Sequence, residues 1–287
     1  MIPVTSSFVI KNLPTRPDDA HKGTMGTMLN ISCSYSLAGA CILSSMSALR
    51  TGVGLLKVAL PESIYPIVSS NVYEAVFLPY KSESGTVEHS FTARAIAEAQ
   101  KCDSVLLGCG LSLTDDTVSF VSHFVKNCTT KLLIDADGIN VISKNINILK
   151  EKKADIVLTP HIKEMSRLCG ESVEYILENR RSVAEDFAKE YSVVVVLKGK
   201  NTIITDGETT YVNPTGNSSM AKGGSGDVLS GIIASLMAQG VSVLNSAIVG
   251  VYIHGLCGDV SADLLSKTSA LPRDIVDALP KVFKAIE

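Results

Sequence analysis

The chain has 287 residues, a formal net charge of -3 and 46% hydrophobic residues, which allows one large domain with a substantial core. The acidic balance and the lack of a Lys/Arg run argue against a nucleic-acid-binding protein. The seven cysteines are scattered and never spaced as C-x-x-C, so neither a disulfide framework nor a zinc site is indicated. With no signal peptide and no membrane-spanning stretch recognised, we expect a cytoplasmic metabolite-handling protein with no nucleic-acid and no membrane partner.

Short apolar, β-branched segments alternate with longer segments of helical period along most of the chain. This alternation is typical of repeated βα units whose parallel strands are buried on both faces. Strands are expected at residues 28–32, 55–60, 74–78, 104–108, 131–135, 155–159 and 192–198.

The pattern changes after Lys198. Residues 201–205 and 209–213 flank the turn sequence Asp-Gly-Glu, which predicts an antiparallel hairpin. Apolar residues at helical spacing from Asp227 predict a helix that Gly240 ends, and two further helices are expected at 242–267 and 272–286. Since no linker or repeat is found, residues 1–287 are expected to form a single α/β domain. It would have a mostly parallel central sheet, helices on both faces and an antiparallel edge hairpin near 201–213.

A glycine-rich turn leads into an amphipathic helix at residues 217–229, with the sequence NSSMAKGGSGDVL. Its glycines let backbone N–H groups converge and the helix dipole adds partial positive charge, so the turn is expected to bind phosphate. Asp227 falls in the first helical turn, where a carboxylate beside a phosphate is expected to act as general base toward a substrate hydroxyl. The alternative is that Asp227 only favours the helix N-terminus by its charge.

The sequence TPHIKE at residues 159–164 ends a strand and begins a helix, with Thr159 expected as the N-cap and Pro160 at the first helical position. His161 and Glu164 lie three residues apart on one face of the helix start. There the imidazole would contact substrate and the carboxylate would hold a Mg²⁺-bound water. The alternative for His161 is an ordinary surface histidine.

Other strand ends also carry polar or small residues. Asp135 and Asp137 follow a strand and are candidates for Mg²⁺, although Asp137 equally suits the cap of the next helix. The lysines of LKGKNT at residues 197–202 would cradle nucleotide phosphate or ribose, with a solvated turn as the alternative. Gly110 follows a strand, where a simple tight turn is an equal interpretation. Residues 32–40 form a candidate ligand wall, with helix packing as the alternative.

Seven sequence blocks, taken together and in order, resemble the ADP/ATP-dependent NAD(P)H-hydrate dehydratase family over roughly residues 21–274. The blocks are HKGTMG (21–26), AGA (38–40), LRTGVGL (49–55), IDAD (134–137), TPHIKE (159–164), VLKGK (196–200) and GGSGDVLSG (223–231). The resemblance implies a ribokinase-like fold and a lyase that returns the S-form of hydrated NADH or NADPH to the reduced dinucleotide. It would phosphorylate the ring hydroxyl with ADP or ATP and Mg²⁺ and then eliminate phosphate.

The resemblance also implies residue roles. The hydrated nicotinamide would contact Ala40, Gly110, His161 and Asp227. The resemblance and the glycine turn together predict a set of nucleotide-binding residues. These are Lys198, Gly199, Lys200, Asn201, Thr202, Gly224, Ser225 and Gly226. The metal candidates are Glu164, Asp135 and Asp137. The family further suggests a homotetramer that is paired in function with a separate NAD(P)H-hydrate epimerase.

Two departures from the family pattern and one alternative function remain. Cys33 stands where the family often has glycine, and Ser218-Ser219 replaces a usual Pro-Gly. TPHIKE is also similar to the TPNxxE pattern of same-fold kinases that act on hydroxymethylpyrimidine, thiazole or pyridoxal, so a small-molecule kinase is the alternative. The histidine in place of asparagine favours the dehydratase. A nucleotide-binding regulator without chemistry is disfavoured, because a sensor needs no base at Asp227.

Overall fold

The computed structural model describes residues 1–286 and contains one ten-stranded sheet. Glu287, the last residue of the expected single domain, lies outside the described residues. The strands are β1 (Ile2–Pro3), β2 (Thr27–Ile31), β3 (Leu55–Pro61), β4 (Val76–Tyr80), β5 (Ser104–Leu107), β6 (Lys131–Ile134), β7 (Ile156–Leu158), β8 (Val194–Leu197), β9 (Ile203–Thr205) and β10 (Thr210–Val212).

Twelve α-helices lie within the described part of the chain. They are α1 (Ser6–Asn12), α2 (Ala38–Thr51), α3 (Tyr65–Ser69), α4 (Thr92–Ala99), α5 (Asp115–Asn127), α6 (Asp137–Lys144), α7 (Ile162–Cys169), α8 (Val173–Glu178), α9 (Arg180–Tyr191), α10 (Ser225–Ala238), α11 (Val243–Leu265) and α12 (Pro272–Ile286).

The sheet order is β1-β10-β9-β8-β7-β6-β5-β2-β3-β4. Strands β2 to β8 pair in parallel, whereas β9 pairs antiparallel with both β8 and β10. The chain runs outward from β2 to β4, returns to β5, and then runs outward in the other direction. Ligands bind beside such a reversal of strand order, at the carboxyl ends of the strands. The fold therefore predicts a site beyond the ends of β2 and β5.

Two hydrophobic cores cover the two faces of the sheet. One packs α2, α10, α11 and α12 against the sheet, and the other packs α4, α5, α6, α7 and α9 against its opposite face. Alternate strand residues enter opposite cores, as Met28 and Leu29 of β2 do. This alternation follows from the two-residue repeat of a strand. The predicted mostly parallel sheet, with helices on both faces and an antiparallel hairpin near 201–213, is confirmed.

Two elements near the N-terminus were not predicted. β1 is only two residues long and pairs in parallel with β10, Ile2 opposite Tyr211. The short helix α1 follows it, with the Thr5 hydroxyl accepting a hydrogen bond from the Phe8 N–H. A two-residue strand shows no periodicity, and its partner lies at the other end of the sequence, so the sequence pattern carries no signal for β1.

The expectation that no stretch is long enough to span a bilayer is wrong for α11. This helix is long and apolar enough by length and composition to cross a membrane. In the structure it packs against α10 and α12, and 61% of its apolar window is buried inside the protein. Core helices have the same length and composition, so its apolar character is explained by packing.

Candidate active site

The first turn of α10 has no side-chain cap. Gly224 is its N-cap residue, with φ of 101°, a left-handed conformation that favours glycine. A Cβ added to Gly224 would also lie 2.7 Å from Leu43 Cδ1. Within residues 1–286, no acceptor is found for the N–H groups of Gly226 and Asp227. Free N–H groups and the helix dipole together favour an anion at this position.

A buried ion pair lies beside this helix start. Lys198 Nζ is 2.8 Å from Asp135 Oδ1, and the Ser230 hydroxyl donates to Asp135 Oδ2 at 2.8 Å. A Cβ added to Gly226 would lie 3.5 Å from Lys198 Nζ and 3.6 Å from Asp135 Oδ2. The ammonium group and the Asp135 carboxylate of this ion pair therefore both lie beside the uncapped N–H groups.

The ion pair keeps both groups charged. Burial alone would raise the pKa of Asp135, but the charge of Lys198 and the hydrogen bonds outweigh burial and lower it. Burial alone would lower the pKa of Lys198, but the charges of Asp135 and Glu164 outweigh it and raise that pKa. A charged ammonium group and a charged carboxylate are thus held together at the ends of β6 and β8, with Glu164 Oε2 3.9 Å from Lys198 Nζ.

Asp227 is half-buried in the first turn of α10, and its carboxylate is not part of the ion pair. Burial, followed by the negative charge of Asp135, raises the pKa of Asp227 to about 6. Its carboxylate, the Asp135 carboxylate and the Cys109 thiol bring ligand atoms within 4.8 Å of one another. A carboxyl group that ionises near neutral pH suits a general base.

The cap of α7 differs from the sequence prediction. His161, not Thr159, is the N-cap residue, and Pro160 lies before the helix, which begins at Ile162. His161 Nδ1 accepts from the Glu164 N–H at 3.1 Å, and Glu164 Oε2 accepts from the His161 N–H at 2.8 Å. This reciprocal capping box satisfies donors at the helix start and places the N-cap residue two positions beyond Thr159.

The capping box also fixes the tautomer of His161. Since Nδ1 accepts a hydrogen bond, the neutral ring carries its proton on Nε2. Burial and then the charge of Lys198 lower the pKa of His161, which favours this neutral form. The side chain is 49% exposed, and its Nε2 lies 3.5 Å from Glu164 Oε1. Burial raises the pKa of Glu164 to about 7 despite the opposing charge of Lys198.

Ala40 and Gly110 meet at the reversal of strand order. Gly110 has φ of 65°, and a Cβ added there would lie 2.9 Å from Ala40 Cβ and 3.0 Å from Leu37 Cβ. The loops after β2 and β5 are thus in contact, with small residues at the contact. Cys33 has φ of 73°, a left-handed conformation that favours glycine.

The loop after β8 is held from α9 by Arg180. The guanidinium donates to the carbonyl oxygens of Lys200 at 2.8 Å and Asn201 at 3.3 Å. The Thr202 hydroxyl donates to the Gly199 carbonyl at 2.9 Å. These contacts define a fixed loop at residues 198–202.

Asp137 is separated from the Asp135 ion pair by its own contacts. It is the first residue of α6, the N-cap position belongs to Ala136, and its Oδ2 accepts from the Ser112 N–H at 2.9 Å. The alternative that Asp137 caps α6 is therefore wrong. Instead, its carboxylate binds the loop that follows β5.

Comparison with known proteins places this chain in a family. A family model described as NAD(P)H-hydrate dehydratase matches residues 28–281. The chain belongs to the NAD(P)H-hydrate dehydratase family. The resemblance drawn from the seven sequence blocks is thereby confirmed.

Individual proteins of the NAD(P)H-hydrate dehydratase family are similar to this chain in sequence and in structure. The chain is 31% identical to an ADP-dependent (S)-NAD(P)H-hydrate dehydratase of Bacillus subtilis, over 99% of this chain and 98% of that protein. A crystal structure of the ADP/ATP-dependent enzyme from Bacillus subtilis, co-crystallised with ATP and Mg²⁺, matches with a TM-score of 0.85 and 28% identity. The match covers 100% of this chain and 99% of the other. The fold that the resemblance implied is confirmed.

The chain also matches longer members of the NAD(P)H-hydrate dehydratase family. It is 33% identical to a bifunctional NAD(P)H-hydrate repair enzyme of Moorella thermoacetica, over 99% of this chain. It spans about half, 54%, of the length of that relative.

Three residues that build this candidate site were not predicted from the sequence. Ser230 and Cys109 contact Asp135, at 2.8 and 3.8 Å, and Arg180 holds the 198–202 loop. Ser230 lies one helical turn after Asp227, so helical spacing was a usable signal for it. The other two carry no local signal, because their partners are distant in sequence.

Proposed function

We propose that the protein converts the S-form of hydrated NADH or NADPH to the reduced dinucleotide, with ADP or ATP as phosphoryl donor. The observation that carries this proposal is Asp227, a carboxyl group with a pKa of about 6 that lies in the uncapped first turn of α10. One helix start thus combines an anion site with a base, as phosphoryl transfer to a hydroxyl requires. Family membership supplies the substrate class.

The nucleotide phosphate would lie at the first turn of α10. The N–H groups of Gly226 and Asp227 have no acceptor within residues 1–286, and Lys198 adds an ammonium group beside them. The dipole of α10 and this charge would stabilise the phosphoryl group as it transfers. Gly224 and Ser225 shape the turn, and residues 198–202 would contact the rest of the nucleotide.

The substrate would lie between α10 and the loops after β2, β5 and β7. Asp227 would take the proton of the ring hydroxyl as its oxygen attacks the terminal phosphorus, and AMP or ADP would leave. The ring nitrogen lone pair would then expel phosphate, and the neighbouring ring carbon would lose a proton to restore the double bond. The Nε2–H of His161 would donate a hydrogen bond to the substrate, while Ala40 and Gly110 would form the wall of small residues against its ring.

The acidic residues present fit Mg²⁺. Asp135 and Glu164 supply only carboxylate oxygens, which this ion prefers, and it commonly keeps water ligands between itself and the protein. Both Asp135 oxygens already accept hydrogen bonds from Lys198 and Ser230, so contact through water suits this carboxylate best. We propose that Asp135 and Glu164 hold Mg²⁺ in this way. When bound, Mg²⁺ would neutralise charge on the nucleotide phosphates.

The direct test is incubation of the protein with hydrated NADH, Mg²⁺ and either ADP or ATP. We expect the absorbance of the reduced nicotinamide to return, with stoichiometric release of phosphate. No return with either nucleotide, using the S-form and the NADPH hydrate in turn, would refute the proposal. Accumulation of a stable phosphorylated product from hydroxymethylpyrimidine, thiazole or pyridoxal would instead support the kinase alternative.

Family membership also supports proposals about assembly and context. We propose that residues 1–287 act as a single domain, as a cytoplasmic homotetramer, and in series with a separate NAD(P)H-hydrate epimerase that supplies the S-form. The pairing is suggested by the bifunctional relatives. Light scattering measures the oligomeric state. A measured mass equal to that of one subunit would exclude the tetramer without affecting the proposed reaction.

A further inference from the structure

Three apolar side chains are exposed around the loops that carry Ala40 and Gly110. Tyr35 is 69% exposed, Leu37 44% and Leu113 47%. We call these three residues the rim. An exposed tyrosine and two exposed leucines are available to pack against a ligand.

The rim is held in place by hydrogen bonds of its own loops. The Tyr35 N–H donates to the Gly85 carbonyl at 2.8 Å, and the Leu37 N–H donates to the Ser34 carbonyl at 3.0 Å. The Ser34 hydroxyl lies 2.9 Å from the Ser112 hydroxyl, which links the loops after β2 and β5. A Cβ on Gly85 would lie 2.7 Å from Tyr35 Cβ, so only glycine allows this approach. The exposure of Tyr35 is therefore fixed by the surrounding backbone.

One residue of the rim, Leu37, adjoins the proposed substrate wall. Leu37 Cβ lies 3.0 Å from the position of a Cβ on Gly110, so Leu37 packs against that wall. Asp227 is half-buried, whereas the rim is open to solvent. A dinucleotide whose nicotinamide hydroxyl reaches Asp227 would extend outward past Ala40 and Gly110, towards the rim.

The rim is distant from the proposed site of the donor nucleotide. Four strand spacings separate β2 from β8, which amounts to about 19 Å across the sheet. A nucleotide held by residues 198–202 would therefore keep its own base away from Tyr35. With the base of the donor nucleotide excluded, the flat ring left to contact Tyr35 is the adenine of the hydrated dinucleotide.

We propose that the rim binds the adenine base of the substrate dinucleotide, with the Tyr35 ring stacked on the base and the two leucines beside it. Bases stack on aromatic side chains because every base has a π-face. This proposal rests on the proposed function and makes Tyr35 a determinant of substrate affinity, with no part in the chemistry.

The test compares Tyr35→Ala, Tyr35→Phe and the matched control Tyr73→Ala, whose tyrosine is 79% exposed and lies outside the rim. At saturating ADP, we expect Tyr35→Ala to raise KM for hydrated NADH about tenfold, with kcat and the KM for ADP unchanged. Tyr35→Phe keeps the stacking ring and should match the unaltered protein, as should the control. With hydrated nicotinamide mononucleotide, which lacks adenine, Tyr35→Ala should have no effect.

An unchanged KM for hydrated NADH in Tyr35→Ala would overturn the proposal. If this variant kept its KM but changed its oligomeric state, the result would show that the rim contacts another copy of the chain. Equal effects on the dinucleotide and the mononucleotide would overturn the assignment to adenine. Absence of turnover by the unaltered protein would refute the proposed function, and this proposal with it. Turnover by the unaltered protein, together with an unchanged KM for hydrated NADH in Tyr35→Ala, would refute only the proposal that the rim binds adenine.

Discussion

Helices α7 and α10 begin at the same end of the sheet, yet their first turns are built differently. In α7, the His161 ring and the Glu164 carboxylate cap each other's backbone N–H groups. In α10, Gly224 is the N-cap residue, and no side chain among the described residues caps the helix start. The first helix satisfies its donors internally, and the second leaves donors free for a ligand.

The two helix starts therefore offer different groups to a ligand. The capped start of α7 presents a side chain, the Nε2–H of His161. The uncapped start of α10 presents its own backbone, with Asp227 beside it. We therefore expect changes in α10 to affect nucleotide binding and turnover, and changes in the α7 cap to affect stability and substrate contact.

Replacement of the proposed base should have the largest effect. We expect Asp227→Asn to keep nucleotide affinity and to lower kcat by about 10²–10⁴, the usual contribution of a positioned base. Asp263→Asn, at an exposed position of α11, serves as the matched control and should change neither quantity. Steady-state kinetics with hydrated NADH and calorimetric titration with ADP measure the two effects. Unchanged turnover would leave Asp227 with a structural role only.

The uncapped turn can be blocked without disturbing the unliganded fold. A Cβ at Gly226 meets no atom closer than 3.5 Å, so Gly226→Val should fold, but its side chain would occupy the proposed phosphate position. We expect the Kd for ADP to rise at least about tenfold, equal to about 1.4 kcal/mol. Gly223→Ala is the control, because a Cβ there has no neighbour within 4 Å. Undiminished ADP binding by Gly226→Val would place the phosphate elsewhere.

The pH dependence of kcat/KM reports the ionisation of Asp227. A base must be ionised to take a proton, and the pKa of Asp227 is about 6. Protonation of Asp227 should therefore make activity fall about tenfold per pH unit below this pKa, in addition to a change near pH 7 from Glu164, whose pKa is about 7. The residual activity of Asp227→Asn should lack this acidic limb. An acidic limb that persists in this variant would assign the titration to another group.

The α7 cap separates two roles of His161. Asparagine is a good N-cap residue, so His161→Asn should keep stability, whereas His161→Ala should lose about 1 kcal/mol. Both variants lose the Nε2–H donor and should raise KM for hydrated NADH by a similar factor. Thermal unfolding and KM are measured on the same preparations. Equal stability of the two variants would mean that the cap contributes nothing to the fold.

The alternation of strands and helices predicted most of the fold, because buried parallel strands and flanking helices each impose their own period on the sequence. The glycine turn before Asp227 predicted an open helix start for the same local reason. The cap of α7 was predicted at Thr159, since threonine is a common N-cap residue, but the His161 and Glu164 pair satisfies the turn more completely.

What the sequence pattern did not reveal depends on pairs that are distant along the chain. Lys198 and Asp135 are 63 residues apart and meet only because β6 and β8 both flank β7 in the sheet. Arg180 reaches the 198–202 loop from α9, and β1 joins β10 across the length of the chain. Each residue type fits its position, but only the three-dimensional fold identifies the partner.

The most direct test of the account is a crystal structure of the protein with ADP. We predict that phosphate oxygens accept hydrogen bonds from the N–H groups of Gly226 and Asp227, with Lys198 Nζ beside them. A nucleotide phosphate bound elsewhere, with the first turn of α10 in contact only with protein, would contradict the central claim.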